Sequence, residues 1–488
     1  MNGMHRRLFL VAMMTLMGVV VARAQVEDDF GKAMSDFQRF RDSIHQDFES
    51  FRRQANEDYA RFMEEEWKPF DSKPALPTPR KPKPPKPVVA EPQERPTMDP
   101  IPFSGKPIVP KPIENPQPME PIVYRPRPNE PVQSFYFFGT PMAIHFDKDK
   151  HSLKLKDLKE KSVAEAWKQL SDEYYDNLIA ECLQSRKEKN LCDWAYYLLT
   201  KAVAEASCGE GTDEAVVMQM YLLTQSGYKV RLSRSEGRLC ILLGSEEVIY
   251  RRKFFTFLSG RFYVMDPNLG NDAFYIYEHS FPEEKAFSLN VEQPKLSVLT
   301  TDDRTFTSKR YPELSVKVAT NSNLIDFYNS YPVTDKWHLY SLASISETVK
   351  EDLYPALRKA IQGKSETEAA NILLNFIQTG FAYATDQDQF GYERPLFADE
   401  SFFYPYCDCE DRSILYSCLV RELLGLDVVL LNFPEHLATA VCFTERVPGD
   451  YIEVEGKIYT ICDPTYIGAS IGRCMTALKT VTPIVVRF

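Results

Sequence analysis

An internal repeat within residues 135–488 is the feature that most constrains the fold of this chain. The stretch GTDEAVVMQMYLLTQSGYKVRL (211–232) parallels CEDRSILYSCLVRELLGLDVVL (409–430), since each combines an acidic helix start, an apolar helix face, a glycine stop and a β-branched strand. Further strands follow each copy and end in Asp-Pro, in RFYVMDPN (261–268) and IYTICDPT (458–465). The shared order and the nearly equal spacing predict two homologous domains.

The repeat predicts a fold of the α/β or α+β class, with domains over residues 135–300 and 301–488. Each domain is expected to pack the repeated helix on an antiparallel sheet. An upstream parallel, between DWAYYLLTKAVAEA (193–206) and EAANILLNFIQTGFA (368–382), extends the repeat to a second helix in each copy.

The first 24 residues predict a processing signal rather than a part of the fold. Arg6 and Arg7 precede an apolar run from Leu8 to Val21, and Ala22-Arg23-Ala24 forms a cleavage site. Because this run is shorter than the roughly 20 residues of a membrane-spanning helix, we expect an exported protein, periplasmic or secreted, with no transmembrane segment after cleavage.

Residues 25–70 carry a helical pattern with phenylalanine-rich spacing. Apolar residues from Phe30 to Phe62 recur at steps of three and four or their multiples, with dense charge between them. The pattern fits a coiled coil that self-associates or docks a partner through residues 27–70, and it fits equally a helix that packs on its own protein.

Residues 71–134 are predicted to be a proline-rich linker. Of the 34 prolines, 21 lie between residues 69 and 131. Because proline fixes φ and lacks a backbone N–H, this composition favours an extended polyproline-II spacer over a packed core.

Charge and cysteine content exclude two broad classes. A net charge of −11 argues against a general nucleic-acid binder, which would carry a basic face. Ten cysteines in 488 residues are too few for a disulfide scaffold. Several of them, such as Cys182, Cys418 and Cys442, stand in apolar segments where buried free thiols are equally plausible.

Cys409 is placed at the start of the repeated helix in the second copy. Asp408 is a natural N-cap with Asp411 at capping-box spacing, and Gly425 ends the helix. The free N–H groups and dipole of a helix start favour the thiolate, which is the reactive form of cysteine. Neighbouring acids oppose that field, so a second source of activation is required.

His436 and Asp463 supply this second source. His436 opens the strand HLATAVCF, and Asp463 follows the strand KIYTIC. If these strands are antiparallel neighbours, the two side chains face each other at the edge to which the helix delivers Cys409. The predicted set is Cys409 as nucleophile, His436 as base and Asp463 as the group that orients His436.

These motifs resemble the transglutaminase-like superfamily of papain-like thiol enzymes, in which a cysteine opens a helix and a histidine and an aspartate lie on following strands. The resemblance covers residues 340–475 and, more weakly, 160–270. It implies an acyl-enzyme formed at an amide or ester carbonyl, without cofactor or metal. The backbone N–H of Cys409 would hold the oxyanion, with Tyr404 or Tyr406 as a further donor. We expect hydrolysis of peptide or peptidoglycan-type amides rather than crosslinking.

The first copy is expected to be degenerate. Gly211 stands where Cys409 stands in the second copy, Arg238 replaces His436, and only Asp266 matches its counterpart. In the second copy, Cys407 occupies a position where the family pattern has glycine, which makes it a candidate regulatory thiol.

Two alternatives stay open. Cys407, Cys409, His436 and Asp463 together could bind zinc, although Cys-x-Cys is an uncommon ligand spacing and no metal is expected. The chain could instead be a binding or scaffolding protein on the same fold with an inactive triad, which suits the degenerate first domain, the linker and the N-terminal helix.

Overall fold

The computed structural model describes residues 49–79, 83–84, 86–91, 98–110, 116–119, 122–257, 260–266, 268–269 and 273–488. The predicted processing signal and the first part of the predicted N-terminal helix lie outside these residues. Within the described ranges, no helix is long and apolar enough to cross a membrane.

Helices and strands fall mostly in separate runs along the described chain, with helices followed by strands in each copy. The helices are α1 (residues 49–63), α2 (Glu160–Leu170), α3 (Asp176–Glu188), α4 (Asp193–Cys208), α5 (Asp213–Gln225), α6 (Ser322–Ser330), α7 (Trp337–Leu342), α8 (Glu347–Ile361), α9 (Glu366–Gly380), α10 (Asp386–Gln389), α11 (Ala398–Phe403) and α12 (Cys409–Leu424). The strands are β1 (Lys68–Phe70), β2 (Val132–Phe137), β3 (Thr140–His145), β4 (Val230–Ser235), β5 (Arg238–Gly244), β6 (Phe254–Phe257), β7 (Gly260–Val264), β8 (Phe274–Ile276), β9 (Arg304–Thr307), β10 (Ser315–Val318), β11 (Asp427–Phe433), β12 (His436–Cys442), β13 (Tyr451–Val454), β14 (Lys457–Cys462) and β15 (Ile484–Val486).

Two curled half-barrel sheets with the same strand order organise the fold. The first runs β1-β8-β4-β5-β7-β6, and the second runs β13-β14-β12-β11-β15. Reading the second sheet in reverse aligns β15, β11, β12, β14 and β13 with β8, β4, β5, β7 and β6. All pairings within the two sheets are antiparallel, so the fold is α+β.

One helix covers the matching strands in each copy. Helix α5 packs on β4 and β5, and α12 packs on β11 and β12. Each of these helices is itself paired with an upstream helix, α4 in the first copy and α9 in the second. Helix α12 begins at Cys409 after the N-cap Asp408, as the sequence predicts, and ends at Gly425, whose φ of +68° glycine adopts without strain.

The apolar core is continuous across the predicted boundary at residue 300. Phe327 of α6 and Tyr340 of α7 belong to the same buried cluster as Trp194 of the first copy. Tyr328 stacks on Phe397 with ring centroids 4.3 Å apart. The two copies therefore share packing through α6 and α7, which sequence analysis assigns to the second domain.

The described part of the N-terminal helix packs on its own protein. Tyr59 and Met63 of α1 and Trp67 after it are buried in the core of the first copy. Arg52 forms an ion pair with Asp176 at 2.7 Å. Residues 27–48 lie outside the described ranges, so self-association through the whole segment stays a prediction.

The described parts of the proline-rich segment between residues 71 and 110, which we call the strap, lie along the folded copies. Isolated bridges join Lys73 to Phe254, Val89 to Ile467, Pro100 to Tyr451 and Ile108 to Val486. The segment is extended as predicted, but it differs from the free spacer that its composition suggests. Residues between the prolines keep their N–H groups and donate them to backbone carbonyls of the folded copies, as in the 2.8 Å bond from Ile101 to Tyr451.

Candidate active site

His436 and Asp463 meet at the edge of the second sheet. His436 opens β12 and Asp463 follows β14, and these strands pair antiparallel with Thr439 opposite Cys462. The Nε2 of His436 lies 2.8 Å from Oδ2 of Asp463, and both residues are buried. With Nε2 engaged by the carboxylate, Nδ1 is the ring nitrogen left for proton transfer.

The turn after β14 holds Asp463 in place. Its Oδ1 accepts the backbone N–H groups of Thr465 at 2.8 Å and Tyr466 at 3.2 Å. The side-chain amide of Gln378 donates to the backbone oxygen of Asp463 at 3.1 Å and to that of Tyr466 at 2.8 Å. A carboxylate fixed in this way can orient the imidazole of His436.

Helix α12 brings Cys409 to the same edge. The hydroxyl of Ser413 donates to the backbone oxygen of Leu437 at 2.8 Å, and Leu437 is the residue after His436. Cys409 lies four residues before Ser413, about one helical turn of roughly 5.4 Å towards the helix start. The first turns of α12, which begins with Cys409, therefore lie next to the strand that His436 opens.

The thiol of Cys409 bonds to Glu410 rather than to His436. Its Sγ donates to Oε2 of Glu410 at 3.0 Å, and the residue is 1% exposed. Burial and the Glu410 carboxylate raise the pKa of Cys409 well above its usual value, although the positive charge of Lys83 opposes them. The thiolate expected from the helix start is therefore disfavoured here, since burial and an adjacent carboxylate outweigh the dipole.

Four acidic side chains beside Cys409 surround one buried lysine of the strap. We call Asp386, Glu393, Asp408 and Glu410 the acidic pocket. The Nζ of Lys83 lies 2.6 Å from Asp408 and 2.9 Å from Glu393, pairs more closely still with Glu410, and lies 3.9 Å from Asp386. The Lys83 side chain is 1% exposed.

The charges of this pocket are strongly interdependent. Burial alone would lower the pKa of Lys83, but Glu410 and Asp408 outweigh it and raise that pKa. Burial and neighbouring carboxylates raise the pKa of Asp386 to about 9 and that of Asp411 to about 7. Burial opposes ionisation of Glu410 too, yet Lys83 lowers its pKa to about 2. Glu410 is thus the carboxylate that Lys83 keeps charged.

Side-chain atoms that could bind a metal ion are grouped in and next to this pocket. Among the described residues, they are not grouped around His436. Three groups of described residues bring such atoms within 4.8 Å of one another. They combine Asp386, Glu393, Asp408, Cys409, Glu410 and Asp411. The zinc set weighed from the sequence is not among them, because Cys407, His436 and Asp463 belong to none of the three.

Cys407 packs in the core of the second copy. It is 2% exposed, and its Sγ lies 3.8 Å from the backbone oxygen of Ala382. Burial raises its pKa to about 11, against the opposing charge of Arg412. All ten cysteines are free, so Cys407 forms no disulfide in this structure. A regulatory role for this thiol stays a prediction.

Tyr383 interacts electrostatically with Cys409 and is a candidate oxyanion donor that sequence analysis missed. Sequence analysis proposed Tyr404 and Tyr406 instead. The hydroxyl of Tyr404 donates to Asn329 at 2.6 Å, and Tyr406 is exposed. The hydroxyl of Tyr383 is buried without a hydrogen-bond partner among the described residues. Burial first, and then negative charge on Cys409, raise the pKa of Tyr383. Its position 26 residues before Cys409 follows no motif spacing, so only the fold reveals it.

The matching edge of the first half-barrel carries an ion pair. Arg238 opens β5 as His436 opens β12, and its guanidinium lies 3.7 Å from Asp266. Gly211 lies just before the N-cap of α5. An arginine stays protonated in proteins and cannot accept the proton of a nucleophile. The two described positions that correspond to Cys409 and His436 therefore carry neither a thiol nor a base.

No protein-family model matches this chain, and no curated protein or solved structure matches it. The side chains at the edge of the second half-barrel are therefore the basis for a functional proposal.

Proposed function

We propose that this protein is an exported, transglutaminase-like cysteine enzyme that hydrolyses amide bonds through an acyl-thioester. The observation that carries the proposal is the 2.8 Å contact of His436 with Asp463, at the edge where helix α12 begins with Cys409. A nucleophile at a helix start, a histidine and an orienting carboxylate are the parts that thiol catalysis at a carbonyl requires.

In the first half-reaction, the Sγ of Cys409 attacks the carbonyl carbon while His436 accepts the thiol proton. His436 then donates this proton to the leaving amine as the C–N bond breaks, which leaves an acyl-thioester. In the second half-reaction, His436 takes a proton from water, the resulting hydroxide attacks the thioester, and the carboxylic acid and the free thiol are released. Asp463 holds the imidazole in position throughout.

The oxyanion of each tetrahedral intermediate needs donors that are already in place. The backbone N–H of Cys409 at the helix start is one donor. The buried hydroxyl of Tyr383, which has no hydrogen-bond partner among the described residues, is the second donor that we propose, in preference to Tyr404 and Tyr406. The catalytic cycle also requires the Cys409 thiol to leave Glu410 and turn towards Nδ1 of His436.

The substrate class that we propose is a peptide or a peptidoglycan-type amide outside the cytoplasm. Water as acceptor gives hydrolysis, and a primary amine gives a crosslink. Mass analysis of the products from a peptide library separates these outcomes, because hydrolysis adds water across the bond that is cut.

A thiol-directed acylating probe tests the proposal. We expect the probe to label Cys409 in the full chain, and we expect Cys409→Ala to abolish amide turnover. Cys442→Ala is the matched control, since Cys442 is only partly buried and lies on the same sheet. Equal amide turnover by Cys409→Ala and wild type would exclude the proposed catalysis by the Cys409 thiol.

A binding or scaffolding protein with an inactive triad is the second candidate. It is favoured by one observation, namely that the Cys409 thiol is buried and bonded to Glu410. This candidate predicts no probe labelling of Cys409 under any condition, including after Lys83 has been removed.

A further inference from the structure

We propose that the acidic pocket beside Cys409 is a recognition site for a primary ammonium group, and that Lys83 of the strap fills it as an internal ligand that closes the site. The inference rests on the proposed function for its substrate class, which is an amide substrate that bears a lysine-like side chain. Its test is a reaction rate of the Cys409 thiol and does not depend on turnover.

The shape of the pocket fits an ammonium ion. Its carboxylates come from separate stretches of the chain, at α10, at Glu393 and at the start of α12, and they converge on the single atom Nζ of Lys83. An ammonium group carries three donors around a point charge, whereas a guanidinium is a flat fork that favours paired carboxylate oxygens. Three close carboxylates around one nitrogen match the ammonium.

The pocket also has one polar atom that Lys83 does not satisfy. Asp408 is fully buried, yet its Oδ1 has no hydrogen-bond partner among the described residues. A buried and unpaired carboxylate oxygen is costly and rare in a folded protein. It indicates a site that offers more contacts than the internal lysine uses.

Lys83 belongs to the strap and not to the helices and loops that build the pocket. It is 325 residues from Asp408 along the chain, and it is followed by Pro84, which has no N–H to donate. Its charged side chain is therefore the part of this stretch that the pocket recognises. A ligand tethered in this way is replaceable by a free ligand with the same ammonium group.

A neighbouring cavity shows where a substrate chain would lie. The cavity has a volume of about 190 Å³ and is lined on one side by Thr78 and Pro79 of the strap. Glu393 lines both this cavity and the acidic pocket. Asn432, also in the lining, precedes Phe433, which pairs with His436 in the sheet. The cavity therefore borders the acidic pocket at Glu393 and the second sheet at Asn432.

Glu410 links the pocket to the nucleophile. One of its oxygens pairs with the ammonium of Lys83, and the other accepts the thiol of Cys409. Exchange of the ligand in the pocket therefore acts directly on the group that holds the Cys409 proton.

The test measures the rate at which iodoacetamide alkylates Cys409 in the full chain, by mass spectrometry of the Cys409 peptide. Lys83→Ala should raise this rate about ten-fold, a factor equivalent to about 1.4 kcal/mol. Lys86→Ala is the matched control, because Lys86 lies in the same strap and is exposed, and its rate should equal that of wild type. Loss of the Lys83 charge alone would slow alkylation, since Lys83 lowers the pKa of Cys409. A faster rate therefore reports access.

Ligand rescue identifies the chemistry of the pocket. Added n-propylammonium should slow alkylation of Lys83→Ala back to the wild-type rate, whereas tetramethylammonium, which has no N–H donor, should not. An unchanged or slower rate in Lys83→Ala overturns the internal-ligand assignment. Equal protection by tetramethylammonium, or protection by calcium ions and not by n-propylammonium, overturns the ammonium assignment.

Wild-type protein gives a second measurement that needs no variant to fold. An amine-acylating reagent, sulfosuccinimidyl acetate, should modify Lys83 at least about ten-fold more slowly than Lys86, the factor that corresponds to about 1.4 kcal/mol. Equal rates overturn the proposal. If Cys409→Ala keeps full amide turnover, the proposed enzymatic activity is wrong, and the modification rates of Cys409 and Lys83 can still support the ammonium site. If only these rates differ from the expected ones, the ammonium site alone is wrong.

Discussion

The two half-barrels share a strand order and differ in what stands at the same edge. In the second copy the edge holds the His436–Asp463 pair, and in the first copy it holds the Arg238–Asp266 ion pair. A nitrogen-bearing side chain and a carboxylate face each other at corresponding positions in both copies. The sheet therefore positions the pair, and the choice between histidine and arginine decides whether it can move a proton.

The helix starts differ in the same way. Thr212 caps α5 with its hydroxyl, which accepts the backbone N–H of Ala215 at 3.2 Å. At α12 the N-cap residue Asp408 is part of the acidic pocket, and its carboxylate forms an ion pair with Lys83. The first copy uses its cap to begin a helix, whereas the second also binds a cation there.

Replacement of His436 at the start of β12, or of Arg238 at the start of β5, should give the largest difference between the copies in the rate of Cys409 acylation. His436→Ala should lower the rate of Cys409 acylation by p-nitrophenyl acetate about 10²- to 10⁴-fold, because a general base is lost. Arg238→Ala should leave the rate near that of wild type. Acylation is followed as p-nitrophenol release in the wild-type and Lys83→Ala backgrounds. Similar losses in both variants would mean that the edges do not differ in chemistry.

The acidic pocket should give the second copy a distinctive pH dependence of stability. The folded state holds a proton on Asp411 up to about pH 7 and on Asp386 up to about pH 9, whereas the unfolded chain releases both near pH 4. Between these values the folded state binds more protons, so the free energy of unfolding falls as pH rises. Asp386→Asn and Asp411→Asn should each flatten this slope by several tenths of a kcal/mol or more per pH unit, within the roughly 1.36 kcal/mol that one proton allows.

Urea unfolding at about pH 5, 7 and 9 measures that slope. The lowered pKa of Glu410, about 2, contributes stability that is lost only as the pH falls towards that value, below the range tested. An unchanged slope in both variants would show that Asp386 and Asp411 are ionised in the folded protein.

The smallest expected effect concerns the cap of the first copy. Thr212→Ala should lower the free energy of unfolding by about 1 kcal/mol, because one N–H group at the start of α5 loses its acceptor. Thr212→Ser is the matched control, since it keeps the hydroxyl. Equal stability of all three proteins in urea would show that this cap does not stabilise the helix measurably.

Local patterns predicted the elements that build the site. Asp408 and Gly425 bound α12 as expected, and the strand that ends in Cys462 lies antiparallel to the one that begins at His436. Helix caps, glycine stops and apolar periodicity act over a few residues, so they can be recognised in the sequence. The roles of Cys409, His436 and Asp463 in catalysis stay predictions.

Longer-range contacts were not predictable. The strap looked like a spacer because its prolines exclude a core, but sheet edges accept its remaining N–H groups. Tyr383 and Lys83 carry no motif spacing to Cys409. The protonated state of Cys409 depends on burial and on Glu410, which a helix-start argument does not weigh fully.

Local sequence patterns predicted the repeated order of helix and strands, the helix that begins at Cys409 and the strands that bear His436 and Asp463, because capping and periodicity act over a few residues. The surroundings of the Cys409 thiol, by contrast, depend on long-range contacts of the folded chain. Lys83 reaches Asp408 across 325 residues, and the carboxylates that bind it come from separate stretches. The contact of Lys83 with these carboxylates depends on the path of the strap in the folded chain, because no short-range sequence pattern encodes it.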